Sequence, residues 1–196
     1  MSPVTHLFAS WIIASKTTDN VRDARLVALA GVAPDLDGLG IVVDLGARVF
    51  GHQTFFWERF HHVLLHGAFG AVLTASIFAL FARRKLRVAL LSLITFHLHL
   101  LCDFVGSRGP SPGDLWPILY VAPFFREPAW VWTGQWSLDA WQNKLFSVLL
   151  LLWIFKIAII QRVSVVSIFS QKADAIFVKV VQRWWARLRN KLAVNP

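Results

Sequence analysis

The sequence has few charged residues and a single cysteine. Charged residues make up 16% of its 196 residues and hydrophobic residues 56%, with a mean hydropathy of +0.55. A soluble domain carries about 25% charged residues, so this deficit predicts that lipid solvates part of the chain. The lone cysteine, Cys102, excludes an internal disulfide and a zinc site built from cysteines. Any metal must therefore be held by histidines and carboxylates.

Acidic residues are scarce as well. There are 11 of them against 20 basic residues, which gives a formal net charge of +9. The basic residues concentrate in a short cluster at 83–87 and in a tail at 162–191. Basic clusters beside apolar runs are typical of cytoplasmic loops and of contacts with anionic lipid. No nucleic-acid-binding motif accompanies them, so the predicted partner is membrane lipid and not nucleic acid. No protein partner is indicated.

Three apolar segments approach the length of a membrane-spanning helix, which is about 20 residues. They are residues 64–82, 86–104 and 145–160. The first two are joined by a tight basic turn, which predicts an antiparallel helical hairpin. Two helices too short to span are predicted over 4–14 and 26–33, a loop over 106–134, and an amphipathic surface helix over 172–190.

The predicted fold is therefore all-α, a membrane bundle of about five to seven helices around a central transmembrane hairpin. The pattern divides the chain into three regions: a metal-site helical core over 1–125, a third span with a Trp-rich entry over 126–162, and a basic amphipathic tail over 163–196. Because both basic clusters are expected in the cytoplasm, the loop at 107–141 is expected to face outward.

Ionisable side chains lie inside the predicted hairpin, where they are costly and indicate function. His66 stands near the start of the first long span, and His99 and Asp103 stand near the end of the second. His66 lies eighteen residues before Arg84 and His99 lies fifteen residues after it. At a rise of about 1.5 Å per residue, their heights differ by about one turn. The hairpin is thus predicted to bring them to one depth.

His99 and Asp103 are spaced i, i+4 and so share a helical face. They can ligate one metal together, or Asp103 can instead orient His99. His97 points to another face of the helix, so we expect it to be a hydrogen-bonded core or interface residue.

Upstream, three histidines stand within six residues. Helical spacing pairs His62 with His66, and His61 joins them only if it precedes the helix. Two carboxylates, Asp35 and Asp37, interrupt an apolar stretch behind Pro34. A capping turn explains one such carboxylate better than two, so both are candidate ligands.

These residues, in this order, resemble the bacterial membrane-bound metal-dependent hydrolase family of the YdjM type, described as LexA-binding inner-membrane hydrolases. The family pattern runs T-H, P-D-x-D, H-x-x-x-x-H, H-x-x-x-D and W-P. The chain carries it as Thr5–His6, Pro34–Asp37, His61–His66, His99–Asp103 and Trp116–Pro117.

The YdjM pattern selects His61 where helical spacing selects His62. The chain departs from the family at Gly38 and Gly67, where His and Ser are frequent. The arrangement is also similar to the all-helical group of zinc-dependent phospholipase C and P1 nuclease, which holds a multi-zinc cluster. Together the two resemblances imply metal ligands drawn from this set: His6, Asp35 or Asp37, His61 or His66, His99 and Asp103.

The function that this implies is a membrane-bound metal-dependent hydrolase, with zinc activating water against a phosphoester or lipid-like substrate. It would sit in the bacterial inner membrane as a multi-pass protein, with its site toward the outer face. Asp35 or Asp37 would ligate or act as general base, and Glu58 is a lesser candidate. The alternative is a non-catalytic membrane protein that uses the cluster for structural metal, haem or partner binding. The carboxylates count against haem.

Overall fold

The structure, a computed structural model, describes residues 1–194 and is helical throughout its regular elements. The all-α prediction is confirmed. Short 3-10 helices cover Pro34–Leu39 and Val165–Ile168. The α-helices are α1 (Pro3–Thr17), α2 (Val21–Ala30), α3 (Gly40–Val49), α4 (Phe56–Phe60), α5 (Ala68–Phe81), α6 (Lys85–Gly106), α7 (Trp141–Gln161) and α8 (Gln171–Val194).

Helix α6 is the centre of the bundle. It packs against α5, α2 and α1, and α1 packs in turn against α2 and α7. The predicted antiparallel hairpin is therefore present as α5 and α6. The main core contains the buried side chains Trp11, Val27, Val88, Ile154 and Ile157. Their burial fixes the helices side by side and sets the depth at which the polar residues of each helix meet.

Two helices, α6 and α7, are long and apolar enough to cross a membrane. Helix α2 and the segment Pro34–Val49 pass the same test together as a pair bent by 65°, so up to three spans among the described residues fit a membrane by length and composition. The helix predicted over 26–33 is too short to span alone. In the structure α2 ends at Ala30, and the helical segment Pro34–Val49 follows after a short break. Many large apolar side chains of these helices are exposed, as on a lipid-facing surface.

Helix α5 is shorter than the predicted span at 64–82. It begins at Ala68 and has 14 residues. The amide of Ala68 donates to the carbonyl of Tyr120 at 2.8 Å, and a Cβ on Gly67 would lie 2.6 Å from that oxygen. Residues 61–67 are not helical, so the i, i+4 helical spacing predicted for His62 and His66 is absent, although their rings do pack together with centroids 4.0 Å apart. Because residues 61–67 are not helical, this segment can reach Asp37.

The bundle has two chemically different ends. One, called here the basic end, holds Lys16, Asp19, Arg84 and Arg87, where Asp19 lies 2.7 Å from Arg84 Nη1 and 3.0 Å from Arg87 Nη1. Helix α6 runs away from it for 22 residues, a length of about 33 Å. His99 and Asp103 lie at the far end of α6, opposite the basic end.

Candidate metal centre

Four side chains from separate parts of the chain meet at the far end of α6. Asp35 comes from the first 3-10 helix, His66 from the segment before α5, and His99 and Asp103 from α6. One ligand atom of each lies within 4.8 Å of the others. His66 and His99 are each 1% exposed and Asp103 is 4% exposed. The residues that the hairpin was predicted to bring to one depth are in contact.

His99 is held with one nitrogen directed at the carboxylates. Its Nδ1 lies 2.8 Å from the carbonyl oxygen of Gly31. A carbonyl only accepts, so Nδ1 carries a proton, and in the neutral ring Nε2 presents a lone pair. That Nε2 lies 3.0 Å from Asp103 Oδ2 and 3.7 Å from Asp35 Oδ1. Neither contact has hydrogen-bond geometry, and Nε2 stays without a hydrogen-bond partner.

His66 is arranged in the same way by a carboxylate. Its Nδ1 donates to Asp37 Oδ2 at 3.1 Å. Its Nε2 lies 3.8 Å from Asp103 Oδ2 and has no hydrogen-bond partner. A carboxylate that holds the far nitrogen of a histidine is a frequent companion of metal-ligating histidines, because it fixes the tautomer and the ring orientation.

Three buried polar atoms at this point lack partners: His66 Nε2, His99 Nε2 and Asp35 Oδ2. An unsatisfied buried polar atom costs about 1–3 kcal/mol, so three that converge on one point are costly unless something binds there. Two imidazole nitrogens with carboxylate oxygens form a donor set that suits zinc and other first-row divalent metals. The residues therefore fit a divalent metal ion.

Asp103 uses its two oxygens differently. Oδ1 accepts from Ser107 Oγ at 2.8 Å and lies 3.2 Å from His6 Nε2, and it also contacts the Met1 amino group. Oδ2 faces His66 and His99. The His6 ring stacks on the His99 ring, with centroids 3.7 Å apart. Burial lowers the pKa of His6, so His6 contacts Asp103 and His99 as a neutral ring.

Asp37 is the centre of a second, adjoining group with His61 and His66. It accepts from His61 Nδ1 and from the amide of Leu65, each at 3.1 Å, as well as from His66. The structure thus places His61 on Asp37. The nitrogens of His62 are buried without partners, and its ring packs on Trp116 with centroids 4.6 Å apart. Burial first, then the neighbouring His66 and His61, lowers the pKa of His62 to about 2.

The family assignment rests on a match over most of the chain. The model of the YdjM inner membrane protein family matches residues 1–172. The chain belongs to the YdjM family. The match includes both groups of histidines and carboxylates and ends in the first turn of α8. No curated protein and no solved structure matches the chain. The similarity to phospholipase C and P1 nuclease is thus not shown.

Two residues considered from the sequence lie apart from the YdjM motifs. Glu58 is exposed on α4, beside a cavity of about 240 Å³ that Asp44 and Arg48 also line. His97 points away from its neighbour His99. Its Nδ1 donates to the Leu93 carbonyl at 2.8 Å, and its Nε2 accepts from the Tyr120 hydroxyl at 2.9 Å. The prediction that His97 is a hydrogen-bonded core or interface residue is confirmed.

A buried glutamine that sequence reasoning missed connects the Trp-rich loop to this end of α6. Gln135 Nε2 donates to the carbonyls of Asp103 and Phe104 at 3.1 Å and of Trp116 at 3.2 Å. Its Oε1 accepts from the Trp116 amide at 2.9 Å. Gln135 thereby positions Trp116, which packs on the histidines. A lone glutamine among tryptophans gave no motif by which to recognise this role.

Proposed function

We propose that this protein is a membrane-bound metal-dependent hydrolase, with zinc as the metal and a phosphoester or lipid-like molecule as the substrate. One observation carries the proposal: His66 Nε2 and His99 Nε2 converge on Asp103 and Asp35 and have no other partner. Membership of an inner membrane protein family supports the membrane setting.

In this proposal the ion is held by His66, His99, Asp103 and Asp35. When bound, a zinc ion acidifies water to a pKa of about 7 and polarises the scissile group. The chain supplies the orientation. Asp37 and the Gly31 carbonyl hold the protons on the Nδ1 atoms of His66 and His99, so that both Nε2 lone pairs stay directed at the centre.

Asp35 is the proposed general base. Its side chain is 22% exposed, whereas those of His66, His99 and Asp103 are 0–5% exposed. Substrate and water therefore reach the centre along the Asp35 edge. Asp35 Oδ2 is buried without a hydrogen-bond donor, so it can accept a proton from a water held within the centre. Asp37 is bound to three donors, so it acts as a positioning residue. Glu58 has no role in this proposal.

The proposed site faces outward. It lies at the end of α6 away from the basic end, and basic residues concentrate on the cytoplasmic side of membrane proteins. A multi-pass protein in this orientation holds its metal centre at the level of the outer headgroups. That level suits a phosphoester that belongs to a lipid.

The burial of the centre also favours a second function, a structural metal site. A structural zinc site is closed at four protein ligands, whereas a catalytic one keeps a position open. Three of the four side chains are almost wholly buried. In that case the metal stabilises the bundle and the protein catalyses nothing.

One experiment separates these functions. The protein is purified in detergent without added metal, and its metal content is measured together with hydrolysis of phospholipids and chromogenic phosphoesters. We expect about one ion per chain or more, and hydrolysis that a chelator abolishes and zinc restores. Metal without chelator-sensitive hydrolysis would favour the structural site, and a metal-free protein would overturn the proposal.

A pair of variants sharpens this test. Asp35→Asn keeps an oxygen ligand but loses the basic oxygen, so we expect it to retain most of its metal and lose most of its hydrolysis. Glu58→Gln changes a nearby exposed carboxylate and should retain both. Equal hydrolysis in the two variants would show that Asp35 is not the base.

A further inference from the structure

The groove between α7 and α8 is an apolar cavity of about 690 Å³, far from the metal centre. Leu152, Phe155 and Ile159 line it from α7, and Val181, Trp184 and Trp185 line it from α8. The charged side chain in its lining is Lys156. Trp184 and Trp185 are 61% and 44% exposed, so the groove is open on one side.

Contacts between the two helices fix the groove in place. Ala158 of α7 packs with Val178 and Val181 of α8 in a small buried core. Next to it, Gln182 Nε2 donates to the Ile159 carbonyl at 3.1 Å. The groove adjoins this core and shares Val181 with it, so its walls belong to a packed helix pair.

Lys156 makes no ion pair with any described residue, although it belongs to a candidate membrane span. The acidic residue of α8, Asp174, is 7% exposed and accepts from the Ser164 amide at 2.9 Å. An ammonium group in a span is costly unless it reaches water or an anion. Lys156 is five residues from the end of α7 at Gln161, about 8 Å, within reach of the lipid headgroups.

We propose that this groove binds one molecule of an anionic glycerophospholipid. An acyl chain lies along the apolar lining and the phosphate pairs with the Lys156 ammonium. Exposed Trp184 and Trp185 suit the membrane interface beside such a lipid. Lys179, Arg183 and Arg187, at i, i+4 and i+8 on α8, lie on the opposite face of that helix, so Lys156 supplies the positive charge of the groove.

Lys156 also argues against a second copy of the chain as the occupant. An isologous contact through this groove would place the Lys156 ammonium groups of two copies near each other, and like charges across an interface are unfavourable. An anionic lipid satisfies the apolar lining and the unpaired ammonium together.

The test compares two lipids with identical acyl chains on the full chain in a non-ionic detergent. Phosphatidylglycerol should raise the apparent unfolding temperature by about 3–5 °C more than phosphatidylcholine at the same mole fraction. Lys156→Gln should remove this difference, and Lys156→Arg should keep it. Lys144→Gln, an exposed lysine near the other end of α7, is the matched control and should keep it too.

Lipid that remains bound after purification gives a second measurement, by mass spectrometry. Wild type and Lys144→Gln should retain phosphatidylglycerol, and Lys156→Gln should retain at most a small fraction of it. Equal stabilisation by both lipids, equal loss in the two glutamine variants, or stabilisation that depends on protein concentration through a dimer would each overturn the proposal.

Discussion

Carboxylates are buried at both ends of α6, but the hydrogen bonding around them differs. At the basic end Asp23 is 2% exposed, and its oxygens accept from the amides of Arg83 at 2.8 Å and Arg84 at 3.1 Å. Asn20 adds a third hydrogen bond at 3.0 Å. At the other end the Nε2 atoms of His66 and His99 face Asp103 without making hydrogen bonds.

This difference distinguishes a structural carboxylate from a candidate site. Asp23 joins the start of α2 to the turn before α6, and its cost of burial is offset by three donors. At the far end His66 and His99 each have one nitrogen satisfied and one without a partner. Burial of a charged group is common to both ends, so burial alone does not indicate a function. The unpartnered Nε2 atoms of His66 and His99 do indicate a function.

The largest expected effect is the loss of metal from the far end. Replacing His99 or Asp103 with Ala removes a proposed ligand, so metal affinity should fall by more than the about 10–100-fold typical of residues that only orient a ligand. Metal content after dialysis, measured by mass spectrometry, checks this. His97→Ala is the matched control on the same helix and should keep wild-type metal content. Equal content in all three variants would refute the metal centre.

A smaller effect is expected at Asp37, which holds His66 and His61 without facing the centre. Asp37→Ala should weaken metal binding by about 10–100-fold, because His66 loses its fixed tautomer and orientation. Competition with a chromogenic chelator measures the affinity. Asp44→Ala is the control, since it removes a buried carboxylate that accepts from the amides of Phe56 and Trp57 on α4. Unchanged affinity in Asp37→Ala would show that Asp37 only joins segments of the chain.

The basic end should respond in stability alone. Asp23→Ala leaves the amides of Arg83 and Arg84 without an acceptor, so we expect the free energy of unfolding to fall by about 2–3 kcal/mol. Metal affinity should stay unchanged. Asp19→Ala removes an acid whose side chain is 56% exposed and should cost less than about 1 kcal/mol. Denaturation in detergent compares them, and a loss of metal in Asp23→Ala would show that the two ends are coupled.

Helical geometry made the ligand positions predictable from the sequence. The hairpin of α5 and α6 brought His66 level with His99 because residues at equal distances from the turn lie at equal depth. The i, i+4 spacing put Asp103 beside His99, and the offset of two residues turned His97 away. These inferences depend on the rise and the period of one helix, which are local properties.

Other features depended on contacts that no local pattern records. Residues 61–67 leave the helix because Gly67 and Ala68 meet the Tyr120 carbonyl, a contact between distant parts of the chain. Helix α3 was not predicted, and neither was the bend of 65° between it and α2. Gln135 and the Gly31 carbonyl were also missed, since a backbone carbonyl has no sequence signature. The ligand positions were thus easier to predict than the groups that orient them.

The smallest effect is expected where His97 meets Tyr120, on the face of α6 opposite the metal centre. Tyr120→Phe removes the hydroxyl that donates to His97 Nε2 and keeps the aromatic ring, which stacks on Trp130 with centroids 4.9 Å apart. The backbone carbonyl that binds Ala68 is unaffected. One lost hydrogen bond should cost about 1 kcal/mol, without any change in metal content. Thermal unfolding and metal analysis of this variant check the prediction. A Tyr120→Phe protein that unfolds as the wild type does but loses its metal would contradict it, because the two faces of α6 would then have to be coupled through the helix.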